Sequence, residues 1–99
     1  EGQYSSGQNV IVIEDLISTG NSSLVAVDAL READLKVKGM FSIFTYGFEI
    51  SYENFKKNNV ELHTLSSYDM LIEQALSSNY ITDSDFQTIK KWKKDPENW

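Results

Sequence analysis

Ninety-nine residues bound the chain to one domain at most, and 40% hydrophobic with 24% charged residues place it in the globular class. The absence of cysteine excludes a disulfide framework and a thiolate metal site, and a formal net charge of −6 disfavours nucleic acid and anionic membranes as partners. No signal peptide and no apolar run near the ~18 residues of a membrane span is visible, so a cytoplasmic protein is the expectation.

In chain order, Glu1 to Asn9 is polar, contains two glycines and reads as a loop. Val10 to Ile13 is the first predicted strand. Its unbroken β-branched run suits a strand buried on both faces of a parallel sheet, and Glu14 and Asp15 then fall at its end. Leu24, Val27, Leu30 and Ala33 recur near helical spacing and predict a helix over Ser22 to Ala33. Val37 to Thr45 is a second strand with apolar residues on both faces, closed by Tyr46-Gly47. A short helix over Ser51 to Lys57 has Phe55 as its anchor. Val60 to Leu65 alternates as a third strand with one less buried face. A helix over Ser67 to Leu76 turns Leu71, Ile72, Ala75 and Leu76 inward. A last helix over Thr82 to Lys94 has Thr82 as its cap and Phe86, Ile89 and Trp92 as its apolar side. Strands alternating with helices give an α/β fold, a parallel sheet with flanking helices built from right-handed βαβ units.

The segment after the first strand carries chemistry. In open α/β sheets ligands bind beyond the carboxyl ends of the strands. Thr19, Gly20, Asn21 and Ser22 lie there, at the start of a helix whose first N–H groups lack intrahelical partners and whose dipole is positive. That arrangement suits a phosphate, with Gly20 allowing close backbone approach and Ser18, Thr19 and Ser22 adding hydroxyl donors. Glu14 and Asp15 would repel the phosphate, so they suit vicinal hydroxyls instead. A ligand with both parts is a ribose 5-phosphate. Ordinary helix capping by Ser, Thr and Asn would produce part of the same pattern without any ligand.

Elsewhere the signals are weaker. Lys90, Lys91, Lys93 and Lys94 suit the negative end of the last helix, and Trp92 suits packing. His63 has no second imidazole to join it in a metal or catalytic site. Tyr46 stands at a strand's carboxyl end, where packing and a ligand contact are equally compatible with its position.

Taken together, Val10 to Ser23 resembles the phosphoribosyl-diphosphate signature of the type I phosphoribosyltransferases: four apolar residues, two acids, two apolar residues, then a Ser/Thr-Thr-Gly-x-Ser/Thr loop. Glu14 through Gly20, Ser23-Leu24, Ala29-Leu30-Arg31-Glu32-Ala33, Phe44-Thr45-Tyr46-Gly47 and Leu65-Ser66-Ser67-Tyr68-Asp69 are similar to the orotate branch of that family. The resemblance covers residues 1–82 and implies part of a Rossmann-like phosphoribosyltransferase fold. It implies transfer of ribose 5-phosphate from phosphoribosyl diphosphate to orotate, giving orotidine 5′-monophosphate and pyrophosphate in de novo pyrimidine synthesis.

The resemblance makes Glu14, Asp15, Leu16, Ile17, Ser18, Thr19, Gly20, Asn21 and Ser22 the substrate-binding residues. Asp15 also becomes the catalytic candidate, stabilising a cationic ribose, and Ser18 lies near the base. Mg²⁺ is implied, bound mainly through substrate rather than by direct protein ligands, in a homodimer. Glu1-Gly2 resembles the end of the segment after the family's mobile catalytic loop. Residues 1–99 would then be the C-terminal part of a phosphoribosyltransferase domain, lacking the N-terminal half and inactive alone. A phosphoribosyltransferase for another base, or a non-catalytic module that senses ribose phosphates or nucleotides, would keep the same loop.

Overall fold

The computed structural model describes residues 2–99, so the Glu1 part of the Glu1-Gly2 resemblance lies outside the described residues. Strand β1 (Asn9–Ile17) leads to helix α1 (Asn21–Glu32), β2 (Lys36–Thr45), α2 (Glu49–Lys57), β3 (Leu62–Ser67), α3 (Tyr68–Ser77), α4 (Asp83–Lys94) and a 3-10 turn at Pro96–Asn98. The strands form one sheet in the order β1-β2-β3, parallel at both junctions. Parallel neighbours cannot be joined by a hairpin, and α1 and α2 supply the two crossovers. The α/β layout expected from alternating patterns is therefore what forms.

Three helices stop in the same way. Asp34, Asn59 and Asn79 take left-handed backbone angles, with φ of 63°, 56° and 61°. The next residue in each case, Leu35, Val60 or Tyr80, donates its N–H back to the carbonyl of Leu30, Phe55 or Ala75. This is the Schellman closure, in which short polar side chains tolerate the left-handed turn and late helix carbonyls are satisfied. It explains why Val60, expected inside the third strand, precedes it. Its N–H closes α2, and its side chain still enters the core.

That core joins Ile17 and Met40 from the sheet, Leu24 and Val27 from α1, Phe55 from α2, and Val60, with Val12, Val37 and Leu62 packed against it. Only one sheet face is closed this way. Ile11 and Ile13 of β1, Phe41 and Ile43 of β2 and Leu65 of β3 are exposed on the other. The register sets Ile13 beside Phe41 and Phe41 beside His63, so these residues share a face. The expectation of a sheet buried on both faces is corrected here: apolar residues occupy both faces, but no described element covers the second. The radius of gyration, 16.5 Å, also exceeds the ~13 Å of a compact domain of this length.

Strand β1 is longer than its apolar run. It continues through the acids to Ile17, with Glu14 opposite Ser42 and Ile17 opposite Thr45. Ladder pairing uses only backbone groups, so two acidic side chains do not end it. In α3, Ile72 is buried and Ala75 and Leu76 are half-buried, while Leu71, expected inside, is 56% exposed. Helix α4 starts as expected at Thr82, in a reciprocal capping box with Asp85.

The difference between the two faces is measurable by urea unfolding of the 99-residue chain. Met40→Ala, at a fully buried site, should lose about 2–5 kcal/mol. Ile13→Thr, at a position 80% exposed, should stay within about 0.5 kcal/mol. Equal losses would mean that both faces are packed.

Candidate functional site

The candidate site begins where β1 becomes α1. Ile17 is buried and fixes the last strand position. Ser18, Thr19 and Gly20 then make the whole connection, and Gly20 is the N-cap of α1, left-handed at φ 86°. No side chain caps the helix. The hydroxyls and amide of this loop are thus not consumed by ordinary capping. Asn21 N–H reaches Thr19 Oγ1 only at 3.4 Å. The N–H groups of Gly20, Ser22 and Ser23 have no partner among the described residues. These are the free donors, reinforced by the helix dipole, that an anion needs.

Gly20 has a second duty. A Cβ placed there would lie 2.9 Å from Phe55 Cζ and 3.2 Å from Cε2, and Phe55 is itself buried in the core. The left-handed turn and the ring beneath it each require glycine.

Glu14 and Asp15 lie within β1, not beyond it. Successive strand residues leave on opposite faces: Glu14 is half-buried, and Asp15 is exposed. Asp15 Oδ1 accepts the Leu16 N–H at 2.7 Å, which holds the carboxylate and leaves Oδ2 free of any described partner. Leu16 is exposed beside it and Ser18, Asn21 and Ser22 line the solvent side of the turn, whereas Thr19 is half-buried. The structure therefore brings the loop residues together in one turn and divides the two acids between faces.

Residues remote in sequence support this turn. Asn54 Nδ2 on α2 lies 3.3 Å from the Thr19 carbonyl oxygen and 3.4 Å from Asn21 Oδ1. Arg31 on α1 donates to the carbonyls of Asn58 at 2.6 Å and Asn59 at 3.2 Å, tying the end of α2 to α1. Neither role has a signal in local spacing, because the partners are 35 and 27 residues apart.

A second wall comes from α4. Trp92 packs edge-on or tilted against Tyr46, Phe48 and Tyr68, with ring centroids 6.2, 5.9 and 5.6 Å away, and the Tyr46 and Phe48 rings lie parallel at 5.3 Å. Tyr46 thus packs at its strand end, and Trp92 packs as expected. Burial, and then the nearby Tyr46 phenol, push the Tyr68 hydroxyl above its ordinary pKa of 10.0. Lys93 Nζ sits 2.8 Å from both carboxylate oxygens of Asp69 and against Gly47. Lys91, Lys93 and Lys94 stand in the last turn of α4 as expected, and Lys93 in addition crosses to the carboxyl edge of the sheet. A cleft of about 320 Å³ there is lined by Thr19, Phe48, Ile50, Lys93 and Lys94 together with Glu49, Asp95 and Glu97. His63 stacks on Phe41 and faces Glu61 at 3.1 Å on the open sheet face, away from this edge.

No protein-family model matches the chain. It is 54% identical over all 99 residues to the orotate phosphoribosyltransferase of Listeria monocytogenes serotype 4b, of which it spans 47%. The chain thus spans about half the length of the curated relatives it matches. Among solved structures, the UMP synthase of Leishmania donovani superposes with a TM-score of 0.79 at 25% identity, over 93% of this chain and 20% of that one. The orotate phosphoribosyltransferase of Mycobacterium tuberculosis H37Rv in complex with 5-phospho-α-D-ribosyl 1-diphosphate superposes with a TM-score of 0.63 at 28% identity, over 70% of this chain and 41% of that one.

The turn's dependence on Gly20 has a direct test. Gly20→Ala should lower stability by about 1–3 kcal/mol without any ligand, through left-handed strain together with the clash on Phe55. Thermal unfolding measures it, and an unchanged melting temperature would show that the turn has room for a side chain.

Proposed function

We propose that this chain, which is homologous along its whole length to orotate phosphoribosyltransferases and has the type I phosphoribosyltransferase fold, forms the later part of such an enzyme's domain and holds the ribose 5-phosphate end of phosphoribosyl diphosphate. The reaction moves ribose 5-phosphate to orotate, releasing pyrophosphate and giving orotidine 5′-monophosphate in pyrimidine synthesis. The observation that carries the proposal is the glycine-capped turn with unfilled amides directly behind two acids. It is supported by the solved relative that holds phosphoribosyl diphosphate itself.

The roles follow from the chemistry of each group. The N–H groups of Gly20, Asn21, Ser22 and Ser23 donate to the 5′-phosphate, with the hydroxyls of Ser18, Thr19 and Ser22. Leu16 and buried Ile17 set the distance from the acids to the turn. Glu14 and Asp15 accept hydrogen bonds from the ribose hydroxyls. As the bond from C1′ to the pyrophosphate oxygen breaks, its electron pair leaves with that oxygen, and orotate N1 forms the new bond as its proton passes to solvent. Positive charge gathers on the ribose between these events, and the fixed Asp15 carboxylate stabilises it. Holding sugar and phosphate at two points keeps C1′ placed for attack.

Mg²⁺ would be held mainly through the oxygens of the substrate, with no direct protein ligand assigned to it. When bound, Mg²⁺ would supply neutralisation of the diphosphate. We assign base recognition and the remaining pyrophosphate contacts to the part of the relatives' length that this chain does not span. Work as a homodimer in the cytoplasm belongs to the same proposal; no helix among the described residues is long and apolar enough to cross a membrane.

Asp15→Asn should weaken ribose 5-phosphate binding to the 99-residue chain about 10- to 150-fold, the worth of a charge-assisted hydrogen bond of roughly 1.5–3 kcal/mol. The melting temperature should hardly move, because the side chain is exposed. Calorimetric titration reads the first quantity and circular dichroism the second. Full affinity with lost stability would reduce Asp15 to a structural residue.

A further inference from the structure

Binding a phosphate through backbone amides is a problem of aim. Three residues make the whole connection between a strand and a helix, and their peptide groups must all present hydrogen to one point. Phe55 supports the turn from beneath Gly20 but forms no hydrogen bond with it. The hydrogen bonds come from the neighbouring residue. Asn54 has one amide NH₂, and both of its hydrogens go to the turn: Nδ2 is 3.3 Å from the Thr19 carbonyl and 3.4 Å from Asn21 Oδ1.

The Thr19 contact matters more than its length suggests. A trans peptide is planar, with its C=O and N–H on opposite sides. No cis peptide bond occurs among the described residues. Drawing the Thr19 carbonyl toward α2 therefore aims the Gly20 N–H the other way, away from α2, and this N–H has no described partner. The same contact removes from the ligand side a carbonyl that would repel phosphate oxygens. The second contact holds the Asn21 side-chain oxygen against α2. Asn54 is itself fixed, because its carbonyl accepts both the N–H and the side-chain amide of Asn58, at 3.1 and 2.8 Å.

We propose that Asn54 is a positioning residue for phosphate binding, holding the Thr19–Gly20 peptide so that the Gly20 N–H faces the anion. The inference rests on reading Ser18 to Ser22 as the ribose 5-phosphate loop. Asn54 touches no reacting atom; it acts through the turn.

The test uses the 99-residue chain with Asn54→Ala and Asn54→Asp, and has two arms. In the first, without ligand, 15N relaxation at Gly20 and Asn21 is followed by NMR. Backbone order parameters there should fall in both variants, with those in the centre of β2 unchanged. In the second, ribose 5-phosphate is titrated. The Gly20 amide proton of the unaltered chain should move downfield on binding. In Asn54→Ala that shift should shrink and affinity should fall about tenfold. Asn54→Asp should bind more weakly still, because its carboxylate cannot donate and adds negative charge. Wild-type order parameters at Gly20 in both variants, or wild-type affinity in Asn54→Ala, would overturn the role of Asn54. Failure of the unaltered chain to bind ribose 5-phosphate would instead overturn the loop assignment, and the relaxation arm would still decide whether Asn54 holds the turn.

Discussion

The geometry of this protein turns on the missing Cβ of Gly20. Two demands of different origin meet at one atom. The chain must reverse from a buried strand end at Ile17 into α1 within three residues, which requires a left-handed backbone. The Phe55 ring must also close the core beneath that turn, at a distance that excludes any side chain. With both met, α2 lies directly under the loop, and Asn54 follows one residue before Phe55. A helix that fills the core thus also supports the polar surface above it. The loop's shape is set by the apolar interior, so it does not need a ligand to acquire it.

Much of this was legible because the governing chemistry is local. The loop residues sit side by side in sequence, so their shared position at a strand–helix junction could be derived from spacing alone. The helix stops were legible to within a residue or two. Asp34, Asn59 and Asn79 are among the few non-glycine types that accept the left-handed turn closing each helix. The true end of β1 was not legible. Side-chain polarity changes at Glu14, but the ladder continues on backbone groups to Ile17.

Other features depended on contacts that no local pattern carries. Asn54 reaches Thr19 across 35 positions, and Lys93 reaches Asp69 across 24. Nothing in either neighbourhood distinguishes these side chains from ordinary solvated ones. The double-sided apolar pattern of β1 and β2 was read correctly as composition and wrongly as burial. A strand's sequence records that a residue is suited to cover, but the cover is supplied by other elements. Here α1 and α2 serve one face, and Ile11, Ile13, Phe41, Ile43 and Leu65 remain in contact with solvent on the other.

Helix α4 illustrates how an element can be attached without being buried. None of its residues is fully enclosed, and its first turn is satisfied by Thr82 and Asp85 within the helix itself. Its hold on the rest of the molecule is concentrated in Trp92 among three aromatic rings and in Lys93 on Asp69. The chain has only two tryptophans, and the other, Trp99, is 70% exposed. The indole environments are therefore different enough to separate optically. Emission from Trp92 follows the seating of α4 on the sheet's carboxyl edge, while Trp99 serves as a solvent-exposed internal reference, so the protein carries its own fluorescent gauge of that attachment.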